Sequence, residues 1–361
     1  MTQHLLIDAG EMSPAIEIQL TRSLMDRMAQ EQDHTPAILC VSSLTGEGLS
    51  LGRFQVPQIA VKVEECQRRG LTLTQRLTGG ATTFYGEGIV ILSLILSSPS
   101  AFSDSIPPGK VINRYVRGLL SGLLSLGLNA MYYGGDFLAI NQKRGGYLTM
   151  DVNTRGVVLY QTILALNRDY PVSEGLSNYP APTTCRRPDP MPTTLAKELR
   201  RPLSRAELIQ AVADGYTKRF GVEWEIKSTI PRDYLTKDTS EKETEKSLSF
   251  EREFQGAGLV GSNFYEFPLG FFQAWVAPGG ESRLGQVRLT GDLMANSPAI
   301  HHLEERLSHQ PLVLERLGLE VDQAFADPHN FLIGVKSLKM IPDAIMDAAE
   351  RAGVQRPRAH S

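Results

Sequence analysis

The chain is poor in cysteine, in net charge and in long apolar runs. Three cysteines, Cys40, Cys66 and Cys185, are odd in number and far apart in 361 residues. They exclude a disulfide framework and any Cys-x-x-Cys zinc or redox motif, and fit a reducing compartment. Lysine and arginine total 37 against 40 aspartate and glutamate, a formal net charge of −3. That balance lacks the basic excess of a dedicated nucleic-acid binder. The longest apolar stretch, Ile89–Leu96, is broken by Ser93, and a membrane-spanning helix needs roughly 20 residues. The opening residues show no basic region followed by an apolar segment, so no signal peptide is visible. The expectation is a cytoplasmic protein with no membrane or nucleic-acid partner. What the chain does have is apolar residues, at 42%. A chain this long can bury about 75% of its unfolded surface without a disulfide or metal staple, and divides into two or three domains.

Patterning predicts a strand over 4–8, then a helix capped by Ser13-Pro14 with Ile16, Leu20, Leu24 and Met28 as its apolar stripe. A buried strand follows over 37–41, a glycine-rich turn over 46–52 and an extended piece over 58–63. The double glycine Gly79-Gly80 ahead of the run from Ile89 predicts a strand, a close-approach loop and a buried strand. A helix is expected over 111–126, and strands over 137–140 and 146–152 joined by a tight turn that contains Lys143. Residues 205–220 are an amphipathic helix capped by Ser204. Residues 237–246 carry both charge signs and no apolar side chain, the composition of a solvated linker. Strands over 271–276 and 286–289 and helices over 298–308 and 310–317 complete the pattern. The expected organisation is a catalytic domain over 1–225, a charged linker over 226–255 and an accessory domain over 256–361.

Several motifs fail on context. Gly48-Leu-Ser50-Leu-Gly52 matches a hydrolase nucleophile elbow, but Arg53-Phe-Gln-Val-Pro57 does not start the helix that elbow needs. Gly46-x-Gly48 lacks the third glycine of a dinucleotide fingerprint, and no Walker A lysine loop is present. His301, His302 and His309 lack the tight spacing of a ligand set and read as an exposed helix face. Lys143, beside Gly145-Gly146, and the loop Arg76-Leu-Thr78-Gly79-Gly80-Ala81 remain. A glycine loop lets backbone N–H groups approach an anion, and a fixed ammonium supplies charge, so the pair can hold a carboxylate, a phosphate or an acyl oxyanion.

These residues resemble the lipoate–protein ligases, which share a catalytic domain with biotin ligases and octanoyltransferases. Arg76-Leu-Thr78-Gly79-Gly80-Ala81 through Tyr85-Gly86 is similar to the family's Arg-x-Ser/Thr-Gly-Gly-Gly-Ala loop, with Ala81 for the third glycine and Tyr85 for the usual histidine. Gly135-Asp136, six residues and Lys143-Arg-Gly-Gly146 resemble its Asn-Asp and Lys-Ile-x-Gly segments, with Gly135 for the asparagine. The turn Gly52-Arg-Phe-Gln55 and the later segment Gly285 to Asp292, with Ile300 to Leu307, match in order. The resemblance implies an α+β fold: a biotin/lipoate-ligase-like mixed sheet flanked by helices, with a smaller α+β accessory domain.

It also implies a two-step reaction with ATP and Mg2+, in which lipoate or octanoate becomes an acyl-adenylate and passes to a lysine of a lipoyl-acceptor domain or glycine-cleavage H-like carrier. In that frame Lys143 is the catalytic residue. Arg76, Thr78, Gly79, Gly80, Ala81, Tyr85 and Gly146 line the acyl substrate, and Arg76, Gly135, Asp136 and Lys143 meet the nucleotide. Asp136 either orients Lys143 or faces the metal. The Ile89–Leu96 strand either lines an apolar tunnel or forms core. Two alternatives stand beside the ligase. Cys185, eight residues before Thr193-Thr194-Leu195, would be the thioester nucleophile of an octanoyltransferase. The chain would otherwise be a non-catalytic acyl-carrier binder.

Overall fold

A computed structural model describes residues 4–30, 35–102, 106–168, 175–182, 191–230, 234, 258–280, 282–335 and 337–356. The expected linker lies mostly outside them, as does Cys185. The first strand, β1 (His4–Met12), leads into helix α1 (Pro14–Met28), where Ser13 Oγ accepts from the Ile16 N–H at 3.4 Å. Leu20, Leu24 and Met28 are buried as the stripe predicts, but Ile16 is exposed. The buried face is centred on Glu17, Leu20, Thr21 and Leu24, so an acidic residue occupies a core position.

The chain continues through β2 (Ala37–Leu44), β3 (Gly48–Leu51), the one-turn α2 (Pro57–Ala60), α3 (Val63–Arg68), β4 (Thr72–Gln75), β5 (Thr83–Tyr85) and β6 (Ile89–Leu96). The glycine-rich stretch is therefore not all turn: β3 pairs with β4 and β5 as a small three-stranded sheet. Of the extended piece expected over 58–63, residues 58–60 form a helical turn instead, because Pro57 at its first position presets a helical φ, while Val61 is extended and bridges to Ser177. Helix α4 (Val111–Ser125) precedes β7 (Ala130–Tyr132), β8 (Phe137–Ile140), β9 (Lys143–Val152) and β10 (Val158–Ala165). After α5 (Leu195–Leu199), α6 (Arg205–Phe220) spans the expected residues with Ser204 as its cap, and β11 (Trp224–Lys227) follows.

The main sheet has eight strands in the order β11-β1-β2-β6-β10-β9-β8-β7, parallel at β11-β1-β2 and antiparallel beyond. Strand alternation sorts its two faces. Leu39, Val90, Leu92, Leu94, Leu148 and Met150 pack with α4 and α6. Ile38, Cys40, Ile91, Ile95, Leu159 and Ile163 pack with α1.

The second part is a smaller α+β domain. Strands β12 (Val260–Gly261), β13 (Tyr265–Phe267), β14 (Gly270–Pro278) and β15 (Leu284–Gly291) form its sheet, with β14 pairing all three others. Strand β16 (Met294–Ala295) pairs β17 (Leu332–Ile333), and α7 (Ser297–Leu307), α8 (Leu314–Ala326) and α9 (Met340–Arg351) complete it. The helix expected over 310–317 begins only at Leu314 and runs on to Ala326. Its start is displaced because Leu284 and Arg283 tie down Gln310 and Pro311. No helix among the described residues is long and apolar enough to cross a membrane.

Candidate active site

Register places one polar row on an otherwise apolar face. Cys40 of β2 lies opposite Ser93 of β6, Ser93 opposite Gln161 of β10, and Gln161 opposite Thr149 of β9. All four are buried. Gln161 Nε2 donates to Ser93 Oγ at 3.0 Å and to Glu17 Oε1 at 3.3 Å, while its Oε1 accepts from Thr78 Oγ1 at 3.1 Å. Thr78 and Thr149 share a hydroxyl hydrogen bond of 2.8 Å, and Thr21 Oγ1 donates to Glu17 Oε1 at 3.0 Å. Loss of water pushes the Glu17 carboxyl up to about 7, against the opposing bonds from Thr21 and Gln161. The same burial pushes the Cys40 thiol well above its ordinary value, which removes it as a nucleophile near neutral pH.

Thr78 belongs to the glycine loop that closes over this row. Arg76 folds the loop from inside: its guanidinium donates to the carbonyls of Ser50 (2.7 Å), Gly79 (2.8 Å) and Ala81 (2.7 Å). Its burial brings the pKa down to about 10. Gly79 N–H donates to Met150 O at 3.4 Å, and Gly80, at φ +94°, occupies backbone space that disfavours a side chain. Ala81 is half-buried at the loop's edge. Tyr85 is buried beside Gly48, where a Cβ would come within 2.5 Å of its hydroxyl oxygen, and burial lifts its pKa to about 12.

Two neighbouring cavities share walls here, and the inner one borders the loop through Arg76. The inner one is bounded by Glu17, Ile18, Leu44, Ser50, Arg76, Tyr85, Ile91 and Gln161. The outer one is bounded by Ile89, Arg144, Gly145, Gly146, Tyr147, Ala165 and Thr193, and Phe84 and Ile163 stand in the walls of both. The buried strand β6 thus both lines a cavity, through Ile89 and Ile91, and builds core through its other face.

Lys143 opens β9 and does not sit in the turn as expected, because Asn141 and Gln142 at positive φ make a two-residue hairpin. Its Nζ donates to Glu198 Oε1 at 2.8 Å and its side chain is 45% exposed. Glu198 also accepts from Thr193 Oγ1 (2.6 Å) and Asn141 Nδ2 (2.9 Å), and this set of donors, with the ammonium, holds its carboxyl down at about 2. A one-residue register shift at Gly145 turns Arg144 inward, where its guanidinium lies 5.1 Å from the centre of the Tyr147 ring. Gly146 lets β9 lie close to β10: a Cβ there would stand 2.5 Å from Ile163 O.

Gly135 and Asp136 are at the other end of this hairpin. The carbonyl of Asp136 accepts from Leu148, whereas Lys143 pairs with Ile140. Four strand residues separate them, roughly 13 Å. The carboxylate that orients Lys143 is therefore Glu198 and not Asp136. Asp136 is buried, and among the described residues no group of three or more His, Cys, Asp and Glu side chains is arranged to hold a metal. One carboxylate fits Mg2+ that arrives with, and is mostly ligated by, substrate phosphates and water.

The smaller domain is bonded directly to the loop. Gly80 N–H donates to Leu293 O at 2.7 Å, Gly291 N–H to Phe54 O at 3.0 Å and Gln55 Nε2 to Asp292 Oδ1 at 2.7 Å. Asp151 takes the backbone N–H of Ser297 at 2.7 Å, pairs with Arg53 at 3.0 Å, and is raised to about 6 by burial. The turn at Gly52–Gln55 and the segment at Gly291–Asp292, both noted in the sequence, thus meet each other.

Glu17, Gln161, Thr149, Arg144 and Glu198 escaped the sequence reading. The interruption at Ser93 was the available signal for the polar row, and Thr193-Thr194-Leu195 for Glu198. In the structure Thr193 bonds Glu198, Thr194 caps α5 by accepting from the Lys197 N–H at 3.1 Å, and Leu195 is core. Ser50 lies within β3, and His301 and His302 are exposed on α7.

Three comparisons bear on this geometry. The lipoyl protein ligase A/B catalytic domain family matches residues 13–217. Octanoyltransferase LipM from Symbiobacterium thermophilum is 26% identical over 223 residues, 54% of this chain and 79% of that protein. The crystal structure of P. falciparum LipL1 in complex with lipoate superposes with a TM-score of 0.70 at 12% identity, covering 95% of this chain and 99% of that one. A bi-partite lipoate protein ligase from Thermoplasma acidophilum gives 0.52 at 16% identity over 70% and 95% of the two chains. At such identities the structural likeness speaks for the fold, a biotin/lipoate-ligase-like core with a smaller C-terminal α+β domain, and the match over residues 13–217 places this chain in the lipoyl protein ligase A/B catalytic domain family.

Proposed function

We propose that the chain is an ATP-dependent lipoate–protein ligase that activates lipoate or octanoate as the acyl-adenylate and transfers it to a lysine of a lipoyl-acceptor domain. One observation carries the reading: two cavities that share the walls Phe84 and Ile163 lie between Arg76 of the glycine loop and the strand end at Arg144 and Gly146, one residue from Lys143. An acyl chain laid there gains about 0.8 kcal/mol per buried CH₂. Its carboxylate would lie at the outer end, close to two cations. In the first step a carboxylate oxygen attacks the α-phosphorus and pyrophosphate leaves. In the second an unprotonated lysine amine attacks the acyl carbon, AMP leaves and the amine gives up a proton.

No covalent enzyme intermediate is required, so the chain's work is positioning and charge stabilisation. Lys143 offers its ammonium to the developing negative charge, with Glu198 as its resting partner. Arg76 holds the loop, and Thr78, Gly79, Gly80, Ala81, Tyr85 and Gly146 shape the acyl site. Gly135 and Asp136 border the nucleotide, and bound Mg2+ would neutralise phosphate charge beside Asp136. Domain limits of 1–225, 226–255 and 256–361 go with this reading, as does a cytoplasmic location.

The relative named octanoyltransferase favours a second reading, in which Cys185 forms an acyl thioester without ATP. Cys185 itself lies outside the described residues. ATP–pyrophosphate exchange decides between them: exchange that depends on lipoate or octanoate is the expected result. No exchange with either acid overturns the ligase.

A further inference from the structure

The inner cavity ends on a carboxyl. Glu17 is only 6% exposed, and both hydrogen bonds it receives, from Thr21 and Gln161, fall on Oε1. No group among the described residues bonds its Oε2, and the residue stands in the cavity wall with Gln161, Ser50 and Arg76. In the polar row behind it, Gln161 Nε2 is held by Ser93 and Glu17, its Oε1 by Thr78, and Thr78 by Thr149.

A purely aliphatic tail pushed into this end would strip the last solvent from Oε2 and return no bond, and leaving a buried polar atom unmade costs more than a made bond gains. A tail that ends in a hydroxyl or N–H would complete it. We propose that Glu17 is a specificity-determining residue of the acyl site, and that the chain prefers a medium-chain carboxylic acid bearing a hydrogen-bond donor at its far end over the plain aliphatic acid of equal length. This rests on the reading that the two cavities are the acyl site.

The test, run above pH 8 where Glu17 has released its proton, compares octanoic acid with 8-hydroxyoctanoic acid, with binding by calorimetry and turnover by ATP–pyrophosphate exchange. Wild type, Glu17→Gln and Glu17→Met are compared, and circular dichroism confirms that each variant folds. Wild type should favour the hydroxy acid by about tenfold or more. Glu17→Met should favour octanoic acid, and Glu17→Gln, which keeps an oxygen acceptor, should retain part of the wild-type preference. Equal affinity for the two acids in wild type, or a preference for octanoic acid, overturns the assignment while leaving the ligase reading intact. Neither binding nor exchange with any acid, lipoate included, overturns both. The wild-type comparison stands even if a variant fails to fold.

Discussion

Gly79→Ala is the substitution whose cost the structure specifies most closely. A Cβ on Gly79 would lie 2.3 Å from Leu293 O and 3.1 Å from Met294 Cα, both backbone atoms of the smaller domain. Ordinary contact begins near 3.4 Å, so the segment must retreat by about an ångström. That retreat stretches the 2.7 Å bond from Gly80 N–H to Leu293 O beyond hydrogen-bonding distance. Both groups belong to buried residues, and orphaning them costs about 1–3 kcal/mol. Overpacking adds about 1–3 kcal/mol, so the expected loss is about 2–6 kcal/mol in urea denaturation. Adenylate formation should fall with it, because the loop is held from that side. Gly135→Ala is the control, since its nearest neighbour would be the Phe137 ring at 4.0 Å, and it should change stability by less than about 0.5 kcal/mol. If Gly79→Ala matches wild type within that margin, Leu293 does not press on the loop and the account of the domain contact is wrong.

Three further outcomes follow from the geometry. Glu17 binds a proton in the folded state up to about pH 7 that the unfolded chain releases near 4.5, so its contribution falls as pH rises between those values. Glu17→Gln should therefore be more stable than wild type at pH 8, by up to about 3 kcal/mol, and similar near pH 4; a pH-independent difference in denaturation midpoints would contradict this. Lys143→Ala should lower acyl transfer by about a hundredfold or more with an unchanged fold by circular dichroism, because its partner Glu198 keeps Thr193 and Asn141. Near-normal turnover would remove Lys143 from the chemistry. Gly318→Ala, inside α8 with nothing within 4 Å of the new methyl, should stabilise by about 1 kcal/mol, and a loss in thermal melting would show hidden crowding there.

How much of this could be read in the sequence depends on the range of the interaction. Local chemistry was legible: Ser13-Pro14 and Ser204 start α1 and α6 as expected, and the loop around Gly79-Gly80 and the Lys143 hairpin stood out by composition. Long-range pairing was not. Nothing in the local sequence marks Glu17 as buried until α1 is laid across β10, where Gln161 Nε2 donates to it. Arg144 falls in the expected turn between strands 137–140 and 146–152, whereas it belongs to β9 and the shift at Gly145 turns it to the cavity. Glu198 lies 55 residues from Lys143, with no spacing rule to connect them. The bond from Gln55 to Asp292 spans 237 residues, so the sequence showed both ends and nothing of their meeting.

The central claim is acyl transfer driven by ATP, and intact mass tests it most directly. An apo lipoyl-acceptor domain would be incubated with the protein, lipoate and Mg2+, with and without ATP, beside a tube holding octanoyl-carrier protein and no ATP. The account predicts a gain of one lipoyl group only where ATP is present. A gain from the octanoyl carrier without ATP, and none from lipoate with it, would contradict the account and move the chemistry to Cys185.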